Sequence, residues 1–393
     1  MSEARYAWVV VWATFFALAI IFGVSYSFAA FFASFAGEFD AQRADVSLVF
    51  GLSGGVYFVF GAGAGMLADR FGPRVVTSAG MLLVAAGLLL CSFAQSMATV
   101  YAAYGVGVGL GIALVYTPAI ACVQPWFTQR RGLAAGLASA GIGAGTVAVP
   151  LLAAAAIGWL QWRDAMRLLA LGVLVLGWCA TGLLRRAQAA STGVGCRIPG
   201  LSLREALHDR RFWWLYLSIA LAAPSMFIPF AHISAAARDL GIDIARAVGL
   251  VGLIGIGSLV GRFAIGALAD RLGRLLTLLL MQMSAGLAFL AWHAADGYAV
   301  LAVFALWFGL SYGGIVSLLP AISMDLFGPR AVAGIIGTLY TGAALGNLLG
   351  PVLAGAVFDR AGSYVPVIWG CMGLSAMAAL ASARLLAWKR PSY

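Results

Sequence analysis

The sequence predicts an all-α membrane protein with twelve transmembrane helices, arranged as two repeated halves of six. The 393 residues are 63% hydrophobic and only 10% charged, whereas a soluble domain is about 45–50% apolar and about 25% charged. The apolar residues form long runs without the two-residue alternation of a membrane β-barrel. An internal repeat relates the first half of the chain to the second. These observations exclude a soluble enzyme, a disordered chain and a disulfide scaffold.

Charged and turn residues separate the apolar runs from one another. A helix needs about 20 apolar residues to cross a bilayer, and twelve runs are long enough. The first run is longer than the apolar region of a signal peptide, about 7–15 residues, and we expect it to be retained. The predicted spans cover residues 7–33, 47–68, 75–95, 97–122, 132–158, 165–184, 212–236, 247–268, 275–294, 297–322, 331–357 and 364–387.

The basic residues predict the orientation of these spans. If the N-terminus is cytoplasmic, 17 of the 24 Lys and Arg residues lie on the cytoplasmic side and 6 on the other side. Arg262 is the remaining one and falls inside a span. Because cytoplasmic loops are enriched in Lys and Arg, we expect both termini to be cytoplasmic. The expected location of the protein is the cytoplasmic (inner) membrane. The net charge of +10 is then a consequence of topology, and no nucleic-acid surface is predicted.

Two copies of one element reveal the internal repeat. GMLADRFGPR at 65–74 recurs as GALADRLGR at 266–274, 201 positions later, and Pro118 and Pro320 continue the correspondence at an offset of 202. The polar stretch between the halves contains LSLREALHDRRF, which predicts a short surface helix. We therefore expect two parallel halves from an ancestral repeat. The predicted units are a bundle over 1–184, a cytoplasmic linker over 185–211 and a bundle over 212–393.

The repeated G-x-L-A-D-R-x-G element resembles the signature of the major facilitator superfamily. Three further stretches resemble the monocarboxylate transporter family and its bacterial oxalate/formate antiporter relatives: GVSYSFAAFFASF, PWFTQRRGLAAGLASAGIGAGT and FDRAGSY. The resemblance implies the major facilitator fold, in which two six-helix bundles rock about a central site so that each side of the membrane has access in turn. It implies proton-coupled secondary transport of lactate-like or pyruvate-like anions. The alternatives are an organic-anion exchanger without proton coupling, or an exporter of drugs or other solutes.

One charged residue lies deep inside a span. Arg262 is eight residues from Asp270 at the cytoplasmic end of its helix, which is about 12 Å at 1.5 Å per residue. A core about 30 Å thick puts it near the midplane, where an arginine costs about 2.5–3.5 kcal/mol. No Asp or Glu is predicted at that depth to form an ion pair. We expect the guanidinium to bind a substrate carboxylate, which is also the role that the resemblance implies.

The sequence departs from the resembled families at three positions. Where proton-coupled members carry an aspartate, one turn before the arginine, this chain has Ser258. Where relatives carry a lysine in the first and eleventh spans, it has Ala30 and Ala343. A dicarboxylate would leave one carboxylate unpaired in a site of low dielectric constant. The sequence therefore favours monocarboxylates and gives no support to the usual form of proton coupling.

Polar residues in other spans are candidates for contact with the substrate. Tyrosine combines a hydroxyl donor with an apolar ring, although packing in the core or at the membrane interface is the alternative for each. Asn347 is either a substrate contact or a hydrogen-bonding group between helices. The candidate substrate-binding residues are Arg262, Tyr26, Tyr116, Tyr312, Tyr340 and Asn347.

Two further groups have predicted roles outside substrate binding. His232, towards the outer end of the seventh span, is a candidate proton carrier because its usual pKa is about 6.5, with packing as the alternative. The Asp69–Arg70 and Asp270–Arg271 pairs are expected at the cytoplasmic boundary, where they would link helices and separate during rocking.

Other functional classes lack the residues that they need. A membrane enzyme would require clustered acids around a metal, or a His–Asp pair within the bilayer, so no enzymatic activity, metal site or cofactor is predicted. A pump driven by ATP would require G-x-x-x-x-G-K-[ST]. Arg262 argues against an exporter of cationic drugs. The predicted partners are a small organic anion, the lipid bilayer and, for symport, protons.

Overall fold

The computed structural model describes residues 3–123, 126–127, 131–185, 200–328 and 330–386. Within these residues, twelve helices are long and apolar enough to cross a membrane, as predicted. Several continue beyond the predicted apolar runs. The helices are α1 Glu3–Glu38, α2 Arg43–Phe71, α3 Pro73–Cys91, α4 Met97–Val123, α5 Arg131–Trp159, α6 Trp162–Gly182, α7 Arg210–Asp239, α8 Ile244–Leu272, α9 Arg274–His293, α10 Tyr298–Phe327, α11 Val332–Ala361 and α12 Val365–Leu386.

The internal repeat is visible in the turns between helices. Gly72 separates α2 from α3 with a φ of +88°, and Gly273 separates α8 from α9 with a φ of +90°. Residues with a Cβ rarely adopt this backbone conformation. Each turn glycine is the final glycine of one copy of the G-x-L-A-D-R-x-G element, so the element ends a transmembrane helix at the same point in both halves.

A short helix, Leu203–His208, precedes α7 in the predicted linker. Ser202 and Glu205 form a capping box at its start, which satisfies backbone N–H groups that the first helical turn leaves free. The backbone N–H of Leu201 donates to the carbonyl oxygen of Phe327 at 2.8 Å, which ties the linker to the end of α10. Residues 186–199 of the predicted linker lie outside the described residues.

The first six helices meet the last six mainly through two helix pairs, α2 with α11 and α5 with α8. The repeat relates these pairs to each other, because α8 corresponds to α2 and α11 corresponds to α5. Both pairs rely on glycine for close approach. A Cβ at Gly54 would overlap the side chain of Asn347, and one at Gly255 would lie 3.0 Å from Cβ of Thr146.

The two ends of the helical bundle differ in their polar contacts. We call the end where α1 begins and α2 ends the termini face, and the end where α1 ends and α2 begins the far face. At the far face an ion pair joins the halves, from Arg43 on α2 to Asp239 on α7. The ion pairs described at the termini face, such as Arg274 with Asp325 on α10, join residues of the linker and the second half, and they do not include the first half.

Candidate functional site

A cavity lies between the two halves, near the middle of the helices. Its empty volume is about 550 Å³ when the part open to solvent is counted. Along α10 the lining runs from Tyr312 to Leu319, towards the helix end at the termini face. Among the lining residues, Arg262 is the one that carries a charge. The lining comprises Phe22, Tyr57, Phe58, Tyr116, Ile142, Ile219, Ala223, Met226, Phe227, Arg262, Tyr312, Val316, Leu319, Tyr340 and Ala343.

Arg262 extends from α8 into this cavity and is only 8% exposed. Its Nε and Nη2 atoms have no hydrogen-bond partner among the described residues. A buried guanidinium without partners is costly, because it has lost its hydration and gained nothing in return. The arrangement suits an anion that enters the cavity and accepts both N–H groups, as a carboxylate does in bidentate pairing.

The predicted tyrosines lie near this arginine, on different helices. Tyr116, Tyr312 and Tyr340 line the cavity, on α4, α10 and α11. Tyr26 lies just outside the lining, with its hydroxyl 3.1 Å from that of Tyr312. These four side chains all lie close enough to Arg262 to interact with its charge.

The contact between Tyr26 and Tyr312 closes the cavity on the side of the far face. It joins α1 of the first half to α10 of the second half. The Tyr26 ring also stacks on Phe230 of α7, with 4.2 Å between the ring centroids. Tyr26 therefore lies in the barrier between the cavity and the far face, where a movement of the halves would expose it.

Asn347 lies one turn beyond the lining residue Ala343 on α11, and it is fully buried. Neither its Nδ2 nor its Oδ1 has a hydrogen-bond partner among the described residues, and the same holds for Oγ of Ser258. Of the two alanines that stand where relatives carry lysine, Ala343 lines the cavity. Ala30 is buried in the hydrophobic core instead.

The sequence reasoning missed the aromatic wall of the cavity. Tyr57 and Phe58 lie in an apolar stretch of α2, and no adjacent polar residue distinguishes them from core residues. The internal repeat contains a signal that could have found them, because Tyr57 is the counterpart of Ser258 at the offset of 201. The face of α2 that meets the cavity follows from the face of α8 that presents Arg262.

His232 is buried among side chains at the far face and does not line the cavity. Its Nε2 lies 2.8 Å from the carbonyl oxygen of Pro351, and a carbonyl can only accept. We therefore assign the ring hydrogen to Nε2. Its Nδ1 then accepts from the Tyr364 hydroxyl at 2.9 Å, and Nε2 also approaches Oγ of Ser47 at 3.1 Å.

Arg43 connects this histidine to both halves of the molecule. Its Nη1 donates to the hydroxyl oxygen of Tyr364 at 2.8 Å, and its Nη2 pairs with Asp239 at 2.5 Å. The guanidinium also lies 3.9 Å from the ring centroid of Phe358. We call Arg43, Ser47, His232, Asp239 and Tyr364 the far-face network.

The predicted gating pairs are described only in part. Arg70 and Arg271 are exposed at the termini face, and the guanidinium of Arg70 lies 5.1 Å from the ring centroid of Phe71. The side chains of Asp69 and Asp270 lie outside the described part of the chain. The role of these four residues in gating stays a prediction.

Comparisons with known proteins agree with this architecture. A family model described as Major Facilitator Superfamily matches residues 14–337 and 225–393. Rattus norvegicus monocarboxylate transporter 13 is 33% identical over 365 residues, which cover 92% of this chain and 85% of the relative. Rattus norvegicus monocarboxylate transporter 3 is 31% identical over 380 residues, which cover 92% of this chain and 76% of the relative.

A solved structure has the same fold at low sequence identity. It is the crystal structure of a bacterial homolog of the human lysosomal transporter Spinster, in an inward-facing and unoccupied conformation. The TM-score is 0.76 at 17% identity, and the match covers 98% of this chain and 99% of that one. The fold, the family match and the relatives, which are named transporters rather than enzymes, lead to one conclusion. The chain is a multi-pass membrane protein of the major facilitator superfamily and belongs to its monocarboxylate transporter family.

Proposed function

We propose that the protein transports small monocarboxylates across the cytoplasmic membrane by alternating access, with Arg262 as the partner of the substrate carboxylate. The observation that carries this proposal is the buried guanidinium whose Nε and Nη2 lack partners. The names of its relatives support it, since several are monocarboxylate transporters. The tyrosines around Arg262 supply further donors, and Asn347 becomes a contact once the far face opens.

The charge distribution supports an orientation with both termini in the cytoplasm. In that orientation the far face is the outer face. The far-face network and the Tyr26–Tyr312 contact then separate the cavity from the outside, and the described conformation faces inward. Opening to the outside requires the two halves to part at Arg43 and at Tyr26.

Substitutions of Arg262 test the central claim. We expect Arg262→Ala to abolish uptake of labelled pyruvate and lactate into proteoliposomes, because no other lining side chain carries a positive charge. Arg262→Lys should retain little activity, because an ammonium group lacks the planar pair of donors. Melting curves and size-exclusion profiles would show that the variants are folded. Transport by folded Arg262→Ala near the wild-type rate would contradict the proposal.

The single charge also supports a preference for monocarboxylates over dicarboxylates. We expect oxalate to compete poorly with pyruvate for uptake. Ala343→Lys adds a second cation to the lining, and it should shift competition towards oxalate by about tenfold or more, as expected for a paired rather than an unpaired buried carboxylate. Ala343→Leu is the control, since it enlarges the same side chain without adding a charge. Strong inhibition of the wild type by oxalate would refute this preference.

Proton coupling and anion exchange remain two candidate modes of transport. The resemblance favours symport with His232 as proton carrier, whereas the position of His232 outside the lining favours exchange. In the far-face network, Nδ1 of His232 accepts a hydrogen bond, and a proton on that atom would remove the acceptor that Tyr364 uses.

Proteoliposomes with an inward proton gradient, and others at equal pH with substrate on both sides, distinguish the two modes. Gradient-driven uptake that is lost in His232→Gln would support the proton carrier. Uptake that survives His232→Gln unchanged would contradict the role of this histidine. Exchange without any gradient-driven uptake in the wild type would leave the exchanger as the function.

A further inference from the structure

A second concave surface lies on the first half of the molecule and is lined by α2, α3 and α4. Its volume is about 520 Å³, within the range of about 300–1,000 Å³ that small-molecule pockets have. On α2 the lining runs from Phe60 to Arg70, and α3 and α4 contribute residues such as Leu83 and Leu110. Apart from Arg70, all of the lining residues are apolar. We call this surface the lateral groove.

The lateral groove faces away from the central cavity. Because a helix has 3.6 residues per turn, Phe60 and Leu67 lie on the side of α2 opposite to Phe58, which lines the cavity. Phe60 is 53% exposed, and Met66 is 69% exposed. Large apolar side chains that are exposed together on a transmembrane helix mark a surface that contacts the membrane. The lateral groove is therefore open to the acyl chains of the bilayer.

The length of the groove matches one leaflet of the membrane. Phe60 and Arg70 are ten positions apart, which is about 15 Å along a helix, and half of a hydrocarbon core about 30 Å thick is also about 15 Å. Phe60 corresponds in the repeat to Gly261, next to Arg262 near the midplane. Arg70 lies at the termini-face end of α2. The groove thus extends from the middle of the membrane to one of its boundaries.

The boundary end of the groove is positively charged. Arg70 and Arg74 are both exposed there, and neither forms an ion pair with any acid that the structure describes. The acids of the first half whose side chains are described all lie at the far face. They are Glu38, Asp40, Asp45 and Asp164. An exposed guanidinium at this level can donate two parallel hydrogen bonds to a lipid phosphate.

The second half of the molecule fills the corresponding space with its own side chains. At the offset of 201, Ala64 of the groove corresponds to Ile265, and Ala113 corresponds to Gly314. A Cβ at Gly314 would lie only 2.9 Å from Cγ2 of Ile265. The larger side chain therefore packs directly against α10, where the first half has two alanines and leaves the space open.

Two leucines of the groove are also replaced by polar residues in the second half. Leu83 and Leu110 correspond to Ser284 and Ser311, whose Oγ atoms are hydrogen-bonded at 2.9 Å. In the second half these positions join α9 to α10. In the first half they present apolar surface to the groove instead, so the lateral groove is specific to the first half and does not follow from the repeat.

We propose that the lateral groove binds an anionic phospholipid, with one acyl chain along α2 and the phosphate at Arg70. The apolar lining and its length suit a chain of one leaflet. The cationic end selects the headgroup, because a zwitterionic lipid would bring its own cation towards Arg70 and Arg74. The site lies outside the central cavity, and the proposal does not depend on which solute the protein transports.

Lipid titrations of the purified full-length protein in detergent test the headgroup. Dioleoyl phosphatidylglycerol and dioleoyl phosphatidylcholine have the same chains, and native mass spectrometry measures the Kd of the first bound molecule of each. We expect phosphatidylglycerol to bind at least about fivefold more tightly, the effect of one basic residue near a membrane surface. Equal affinities would overturn the assignment of an anionic lipid.

Arg70→Gln tests the position of the phosphate. It should weaken the binding of phosphatidylglycerol about fivefold and leave that of phosphatidylcholine unchanged. Arg271→Gln is the matched control, because Arg271 is the exposed counterpart of Arg70 in the second half. The same loss in both variants would show that general basicity, rather than the groove, attracts the lipid.

Gly63→Leu tests the position of the acyl chain. A Cβ at Gly63 would meet no atom within 4 Å, so the leucine can occupy the groove without displacing a helix. Both lipids should bind at least about tenfold more weakly, since each methylene that loses its contact costs about fourfold. Ala264→Leu changes the exposed counterpart in the second half and should have no effect. Melting curves would show that all variants are folded.

A photoactivatable phosphatidylglycerol locates the bound molecule. With the reactive group in the acyl chain, peptides of α2, α3 and α4 should carry the adducts, and Gly63→Leu should remove them while Ala264→Leu should not. Adducts spread evenly over both halves, or unchanged in Gly63→Leu, would overturn the proposed site. Because these measurements report lipid binding alone, their failure would leave the proposed transport of monocarboxylates standing.

Discussion

Two equivalent helix ends at the far face have different polar partners. At the offset of 201, Glu38 at the end of α1 corresponds to Asp239 at the end of α7, and Arg163 corresponds to Tyr364. In the first half, Glu38 pairs with Arg163 at 2.8 Å, within the same half. In the second half, the counterpart of that arginine is a tyrosine, and Asp239 instead pairs with Arg43 from the first half.

The capping of α2 shows the same asymmetry. Asp359 at the end of α11 accepts hydrogen bonds from the backbone N–H groups of Arg43 and Ala44, at 3.2 Å and 3.0 Å. Its counterpart in the first half is Gly158, which has no side chain to offer. The repeat thus supplies matching helices, whereas a few unmatched residues decide which polar contacts stay within a half and which cross between halves. The contacts that cross are the ones that must break when the far face opens.

The largest expected effect is that of Arg43→Ala. It removes the ion pair with Asp239 and the hydrogen bond to Tyr364, and hydrogen bonds to charged groups contribute about 1.5–3 kcal/mol each. We expect the far face to open more readily by at least about 2 kcal/mol, roughly thirtyfold in the open-to-closed ratio. Spin labels at Gly37→Cys and Leu240→Cys, in a protein whose native cysteines have been replaced, would report this ratio. The distances between them are measured by electron–electron double resonance.

Arg163→Ala is the matched control for that measurement. It removes the equivalent ion pair, but that pair lies within one half. The label distances should stay as in the wild type, even if the variant melts at a lower temperature. Opening of the far face to the same extent in both variants would show that the two helix ends do not differ as described.

A smaller effect is expected when the second half receives the cation that it lacks. Tyr364→Arg places a guanidinium next to Asp239, as Arg163 lies next to Glu38, so Asp239 no longer needs Arg43. We expect the label distances to increase, though less than in Arg43→Ala, because the Arg43 guanidinium is still present and keeps its contact with the ring of Phe358. Tyr364→Phe removes only the hydroxyl and should open the far face less than Tyr364→Arg. The reverse order would contradict this explanation.

The smallest effect is expected for Asp359→Asn. The amide still offers an oxygen to the N–H groups of α2 but loses the charge that favours the positive end of a helix. Removal of a good cap costs about 1 kcal/mol, so the shift in the open-to-closed ratio should be about fivefold or less. A shift larger than that of Arg43→Ala would mean that the cap, rather than the ion pair, holds the far face closed.

The helices and the central arginine could be predicted because each depends on local sequence. Length and hydropathy determine a transmembrane helix, and a lone charge such as Arg262 is conspicuous in an apolar run. The aromatic wall of the cavity could not be predicted from the sequence in the same way. In the sequence, Phe58 and Phe227 cannot be distinguished from the phenylalanines that pack in the core of any membrane helix. Only the packing of the two halves brings them to the cavity.

The environment of His232 illustrates a second reason. The sequence places this histidine near one end of a span, and the structure has it near the far-face end of α7. Its partners Tyr364 and Ser47 lie 132 and 185 positions away, and the repeat does not predict them, since it relates corresponding positions rather than contacting ones. Contacts between the halves depend on how the two bundles pack against each other. The sequence pattern of a single helix does not predict which residues of the other half it contacts.

The unpartnered guanidinium of Arg262 has a consequence for the kinetics of the transport cycle. In the proposed alternating-access cycle, an empty protein returns through a state in which the cavity is closed on both sides, and there the charge of Arg262 has no substrate carboxylate as a partner. A loaded protein passes through the same state with its charge neutralised. We therefore expect the empty return to be the slow step. Labelled pyruvate should leave preloaded proteoliposomes faster when unlabelled pyruvate is present outside, and equal efflux rates in its presence and absence would contradict this.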